Sequence, residues 1–214
     1  AGLIQPERAH VLRNPYVPVR GLAEDGLKSS PRIVLMADSM AERRKAMPLA
    51  IESLELAYEQ VKAVQSSKDP FIVDIIGHAD KSLVDAVRNA GFPHEMHGKI
   101  AEHAQIAQIL KNAEFLLSCS FEDNWPNVLV EAGAYGAVPI VGPGHGCEEF
   151  VREFDVGVVA NNYEASSFSE SIVKAVRNGS DQNTTEFSNS VSDLHLPARV
   201  REKYINSIMH LLAS

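Results

Sequence analysis

Two carboxylates, Asp123 and Glu131, stand in the stretch SFEDNWPNVLVEAGAYGAVPIV from Ser120 to Val141, with seven residues between them. The residues around Glu131, VLVEAGAYG, are apolar or small on every side. A carboxylate kept in such a helix loses hydration, so it must face hydroxyls or a cation to be tolerated. The loop in front of it, SFEDNWPN, carries Asp123 and Asn124, which suit helix capping, and Pro126, which suits a first helical turn. A helix start exposes free N–H groups and the positive end of the dipole, a ready place for a phosphate. Glu131 falls one turn further in, on the face shared with Asn127. The plain alternative is that Asp123 only caps and Glu131 only meets solvent.

Other chemistry is harder to read. VGPGHGCEEFV (Val141–Val151) has three glycines between an apolar run and a helical one, but Gly142, Gly144 and Gly146 do not make the dinucleotide spacing. The following strand ends in Asn161 and Asn162, with no acidic residue to hold a ribose. The eight histidines show no metal-ligand pattern; His94, His97 and His103 share no helical face. Cys119 and Cys147 sit in apolar surroundings, fit no zinc spacing, and read as small core residues. The charged run ERRK (Glu42–Lys45) is by itself a solvated turn.

The elements that must position these residues alternate. Apolar runs at Arg32–Ala37, Phe71–Gly77, Glu114–Ser120, Val138–Gly142 and Val156–Ala160 read as strands, and HEMHG (His94–Gly98) as a further short one. Between them, helical spacing marks Met47–Gln65, Lys81–Gly91, Glu102–Ala113, Pro126–Gly136, Cys147–Phe154 and Ala165–Gly179. Near-continuous apolar strands alternating with helices imply an α/β, Rossmann-like, three-layer domain around a parallel sheet. Ligands of such sheets bind beyond the carboxyl ends of the strands, so the strand-to-helix loops are the segments to watch. Ser180–Asp193 is polar and aperiodic and is expected to be a loop; Pro197–Ser214 is a terminal helix with Val200, Tyr204, Ile208 and Leu211 in one stripe. Residues 1–31, with four prolines, read as a linker with one short strand near His10–Leu12.

Composition sets the outer limits. The 214 residues are 45% hydrophobic and 22% charged, enough to bury a real core. A formal net charge of −8 argues against a nucleic-acid partner, which needs clustered lysine and arginine. No apolar run is long enough to span a bilayer, and the two cysteines fit a reducing cytoplasm. The chain opens at Ala1 without a methionine, as a piece of a longer protein would.

The Ser120–Val141 stretch resembles the signature of family-4 glycosyltransferases, the retaining enzymes of the GT-B fold. The match rests on Glu122, Asp123, Asn124, Pro126, Asn127, Glu131 and Ala132. The resemblance implies that Glu131 accepts from the ribose hydroxyls of a nucleotide sugar and that Asp123 holds a hydroxyl of the donor sugar. It places backbone N–H groups near Trp125–Asn127 against the sugar and phosphates, with Trp125 either packing or stacking on the sugar. The ERRK run resembles the family's diphosphate loop, which puts Lys45 and Arg44 on the phosphates. Ser39 or Asp38 stands where the family has an arginine, so Arg44 must supply that contact or it is lost. Gly98, Lys99 and Ile100 match the loop that edges the base. Glu149 matches a glutamate after the glycine-rich loop, where His145 interrupts the usual glycine pair.

The resemblance covers Arg32 to Gly179 and implies one half of a GT-B enzyme. VLRNPYV (Val11–Val17) resembles the connection between its two domains. The expected organisation is a linker over 1–31, a nucleotide-sugar-binding domain over 32–196, and a C-terminal helix over 197–214 that packs toward an N-terminal acceptor domain absent from this chain. The implied activity is transfer of a hexose-type sugar from a UDP-, GDP- or ADP-linked donor to a glycan or other acceptor, as in polysaccharide biosynthesis. No metal or other cofactor is implied, this chain alone is expected to be inactive, and the intact enzyme is placed in the cytoplasm, with peripheral attachment to the membrane left open. The alternatives are a GT-B sugar-nucleotide epimerase, a non-catalytic relative used for protein contacts, and a dinucleotide-dependent enzyme, against which the glycine spacing argues.

Overall fold

A computed structural model describes residues 13–22, 30–64, 69–179 and 184–213, with side chains to residue 210. Six strands form one parallel sheet in the order β3-β2-β1-β4-β5-β6. They are β1 (Arg32–Ser39), β2 (Ile72–His78), β3 (His94–Gly98), β4 (Phe115–Ser118), β5 (Val138–Val141) and β6 (Val158–Val159). The chain runs outward from β1 to β3, returns to β4, and runs outward the other way. Its crossover therefore lies between β1 and β4, and a crevice opens beyond their carboxyl ends.

The period of two along each strand sorts the core into two layers. Ile33, Leu35, Val73, Ile75, Phe115, Leu117, Val138 and Ile140 face one side. There they meet α1 (Met47–Lys62), α2 (Lys81–Asn89) and α6 (Ala165–Asn178) through Leu54, Val61, Val87, Phe168 and Ile172. Val34, Ile76, Leu116 and Val141 face the other. That side is covered by α3 (His103–Lys111), α4 (Asn127–Gly133), α5 (His145–Phe154) and α7 (Thr184–Leu194). The expected Rossmann-like three-layer fold is thus the fold observed.

The structure differs from the sequence reading in places that have physical causes. Ser180–Asp193, expected to be a loop, contains α7. Only Phe187 and Val191 of that helix are buried, so its apolar stripe is too thin to show a period. Both lean on α4, where a Cβ on Gly133 would lie 3.0 Å from Phe187 and 3.3 Å from Val191. The small residues after Glu131 therefore let a helix approach. β6 keeps only two of the five expected residues, and α5 begins two residues early, at His145.

α8 (Pro197–Ala213) buries only Ser207 among residues 197–210; Tyr204, Ile205, Ile208 and Met209 are exposed. The described part of the segment read as a linker is bonded to the domain: the Tyr16 amide donates to the His195 carbonyl and the Val19 amide to the Tyr135 hydroxyl, each over 2.8 Å. The short strand expected near His10–Leu12 lies outside the described residues. No helix among the described residues is long and apolar enough to cross a membrane.

Candidate functional site

The crevice is built from the loops that follow β1 and β4. After β1 the chain makes one 3-10 turn, Arg43–Lys45, and passes through a left-handed Ala46 into α1. After β4 it runs from Ser120 to Pro126. The two loops are stitched by their backbones: the Phe121 amide donates to the Arg44 carbonyl over 2.8 Å, and Ser120 Oγ donates to the same oxygen over 3.2 Å. The start of α5 holds the second loop from behind, where the Gly146 amide donates to the Asp123 carbonyl over 2.8 Å. A Cβ on Gly146 would lie 2.0 Å from the Asn124 carbonyl oxygen, so only glycine allows this approach.

Side chains from these loops line a cavity of about 370 Å³ together with the β3–α3 loop and α4. Arg44, Lys45, Lys99, Ile100, Asp123, Trp125, Asn127 and Glu131 all reach it. Asn124 and Pro126 do not: the Asn124 side chain is exposed and Pro126 is buried at the start of α4. Gly98 ends β3 and turns the chain so that Lys99 and Ile100 enter the cavity. The capping expected of Asp123 and Asn124 is absent. Pro126 is the N-cap and receives no side-chain bond, because Asp123 turns instead to the β1 loop.

There Lys45 Nζ lies 3.2 Å from Asp123 Oδ2, and Arg44 Nη1 lies 3.7 Å from the same oxygen. Arg44 Nε also pairs with Glu42 over 2.7 Å, and Lys99 pairs with Asp38 over 2.7 Å at the exposed rim. Glu131 is half-buried and accepts no hydrogen bond from the described residues. Burial raises its pKa above the ordinary carboxylate value, an effect partly opposed by His103. Glu131 also borders a second cavity of about 510 Å³, beneath the strap of residues 14–17. Asn14 Nδ2 ties that strap to Asn127 Oδ1 over 2.8 Å.

Trp125 is engaged by protein. Its ring stacks on His195 at 6.0 Å, meets Phe150 at 5.6 Å, and lies 4.8 Å from the Arg13 guanidinium. Trp125 thus has packing contacts and also borders the cavity. His195 and Asn14 escaped the sequence reading as contributors to this region. The acidic spacing marks the β4 loop, but no local pattern ties a residue near either terminus to it. His145 and Glu149 are exposed on α5 and line neither cavity.

Among the described residues one cluster has the ligand types for a metal ion: Asp74, Glu95 and His97. A cation already fills it. Arg32 bonds Asp74 through Nε at 2.6 Å and Nη2 at 2.8 Å, and Glu95 through Nη2 at 2.7 Å. His97 Nε2 completes the set 2.7 Å from Asp74. These residues line neither cavity, and the cluster reads as an ion network bracing β1, β2 and β3.

Solved structures share this fold at low sequence identity. The chain superposes on WaaG, a glycosyltransferase involved in lipopolysaccharide biosynthesis, with a TM-score of 0.66 and 14% identity over 96% of this chain and 57% of that one. TarM from S. aureus, crystallised with fondaparinux, alpha-GlcNAc-glycerol and UDP, gives 0.67 and 14% over 92% and 38%. The alpha,alpha-trehalose 6-phosphate synthase of Burkholderia multivorans gives 0.65 and 11% over 86% and 43%. The chain therefore spans from about two fifths to somewhat over half of these proteins. No curated protein matches it by sequence. The family model described as glycosyl transferases group 1 matches residues 23–189, a span that holds both loops of the crevice and Glu131, and the chain belongs to that family.

Proposed function

We propose that this chain is the nucleotide-sugar-binding half of a retaining, family-4-type glycosyltransferase of the GT-B fold. The observation that carries the reading is the sharing of one cavity by Lys45, Arg44 and Glu131 at the crossover of the sheet. The cations suit a diphosphate, and a half-buried carboxylate that accepts no hydrogen bond from the described residues suits a pair of ribose hydroxyls. Lys99 and Ile100 edge the base, and Asp123 receives a hydroxyl of a hexose-type sugar.

In transfer, the bond from the sugar to the diphosphate breaks and negative charge grows on the leaving phosphate oxygens. Lys45 and Arg44 stabilise that charge electrostatically, and the reading requires no metal ion. The donor is a UDP-, GDP- or ADP-linked sugar and the acceptor a glycan or similar hydroxyl compound, with the intact enzyme acting in the cytoplasm. Acceptor binding belongs to an N-terminal domain outside this chain. The exposed apolar residues of α8, Tyr204, Ile205, Ile208 and Met209, support a docking role toward that domain. This chain alone binds donor and transfers nothing.

Titration of UDP, GDP and ADP into the chain, followed by amide NMR shifts, tests the reading. Binding of one nucleotide, lost in Glu131→Ala, is the expected result. Absence of binding by all three, both here and in a two-domain protein, would overturn it.

A further inference from the structure

The cations of the crevice are all engaged by carboxylates. Lys45 and Arg44 share Asp123 Oδ2, Arg44 also holds Glu42, and Lys99 holds Asp38. The cavity is lined by three cations and four carboxylates, so an incoming diphosphate meets no net positive charge. Lys99 and Asp38 are well exposed, and solvent screens that pair. The Lys45–Asp123 pair differs: its side chains are only 13% and 17% exposed, where screening is weaker. One oxygen of Asp123 thus lies between two cations, in the place an oxygen of a phosphate would take.

We propose that Asp123 is a counter-ion that a diphosphate must displace from Lys45, and that its displacement frees the carboxylate to accept from a hydroxyl of the attached sugar. The inference rests on the reading of this cavity as a nucleotide-sugar site and adds a specificity role to Asp123. The movement is confined to a side chain. The Asp123 carbonyl is fixed by the Gly146 amide, and the space behind the loop is closed by the Gly146–Asn124 approach. Rotation about the side-chain bonds of Asp123 is therefore the motion left to this residue.

The consequence is a link between two recognitions. While Lys45 and Arg44 hold Oδ2 of Asp123, that oxygen is not free to accept from a sugar hydroxyl. Once phosphate oxygens take both Lys45 and Arg44, the carboxylate loses its two cations and needs a new hydrogen-bond donor. A free sugar cannot displace it, because it brings no anion. A nucleoside diphosphate without sugar displaces it and leaves it unpaired, whereas a nucleotide sugar displaces it and satisfies it. The site thus favours the intact donor over the nucleotide product, which also favours product release after transfer.

The test is calorimetric titration of pyrophosphate, a nucleoside diphosphate and its hexose conjugate into the wild-type chain, Asp123→Asn, Lys45→Met and the double variant. Asp123→Asn removes the competitor with little change of shape, so pyrophosphate and nucleoside diphosphate are expected to bind about five- to tenfold more tightly. The preference of the conjugate over the nucleoside diphosphate is expected to shrink by a similar factor. Lys45→Met removes the gain in the double variant. Equal or weaker pyrophosphate binding by Asp123→Asn, or no binding by either form, overturns the proposal. Nucleotide binding that needs Glu131 but ignores Asp123 overturns this proposal alone and leaves the parent reading standing. The wild-type chain supplies a second measure that needs no variant to fold. Pyrophosphate is expected to shift the carboxyl 13C signal of Asp123 and the Cε signal of Lys45 together, and an unmoved Asp123 signal at saturation refutes the displacement.

Discussion

Trp125 Nε1 donates a hydrogen bond to Nε2 of His195 over 3.1 Å, joining the acidic loop to the segment between α7 and α8. An indole nitrogen can only donate, so Nε2 must accept and the proton of the imidazole sits on Nδ1. From there it is donated to the Val191 carbonyl over 2.7 Å. His195 is fully buried and neutral in this arrangement, and its carbonyl holds the Tyr16 amide of the strap. One residue thus braces the site loop, α7 and the N-terminal strap.

Burial lowers the pKa of His195 below its ordinary 6.5, with Arg13 lowering it further; Glu153 and the Val191 hydrogen bond oppose the shift. Below pH 6.5 the unfolded chain takes up a proton that the folded chain refuses. The stability contributed by neutral His195 is therefore complete above pH 6.5 and is lost as pH falls toward the depressed value. Trp125 is the only tryptophan of the chain, so its fluorescence reports this contact directly. The emission is expected to titrate with a midpoint below 6.5 in the wild type and to stay flat over that range in His195→Gln. In urea unfolding, the advantage of the wild type over the variant should narrow from pH 8 to pH 5.

Glu131 has the opposite sign. Its pKa is raised by burial above the ordinary 4.5, so the folded chain holds a proton that the unfolded chain releases. The contribution of Glu131 to stability is then greatest below pH 4.5 and falls as pH rises through the folded value. Glu131→Gln carries no charge and escapes that loss. Its urea midpoint should exceed the wild type at neutral pH, with the difference closing at pH 4. The same variant should bind nucleoside diphosphate more weakly, the separation expected of a residue kept for a ligand at the expense of the fold.

Gly146 tests whether the acidic loop is held from behind. A methyl group there meets two backbone carbonyls, those of Asn124 at 2.0 Å and Asp123 at 2.8 Å, and neither can rotate aside. Gly146→Ala is expected to destabilise the chain by about 1–3 kcal/mol in urea. It should also weaken nucleoside diphosphate binding, because the loop that carries Asp123 and Trp125 is pushed forward. Unchanged stability and binding would mean that the loop is positioned from the cavity side.

The sequence by itself determined the elements. Apolar runs such as IVL in β1 and FLL in β4 and the 3.6-residue stripe of α1 are local, because a strand or helix buries a face set by neighbours a few residues away. The resemblance of the chain's loops marked Asp123, Glu131, Arg44, Lys45, Trp125, Asn127, Lys99 and Ile100 together with Asn124, Pro126 and Gly98; the first eight line one cavity and the last three do not. What each side chain touches was decided by the tertiary structure. Lys45 meets Asp123 across 78 residues and Trp125 meets His195 across 70, through a sheet order that no local period encodes. α7 was illegible for the same reason. Its two buried residues are apolar neighbours only because Gly133 leaves room for them, and the room belongs to a helix some fifty residues earlier. Periodicity reports which face is buried; against what it is buried, and which charge is left to neutralise another, follows only once the layers have closed.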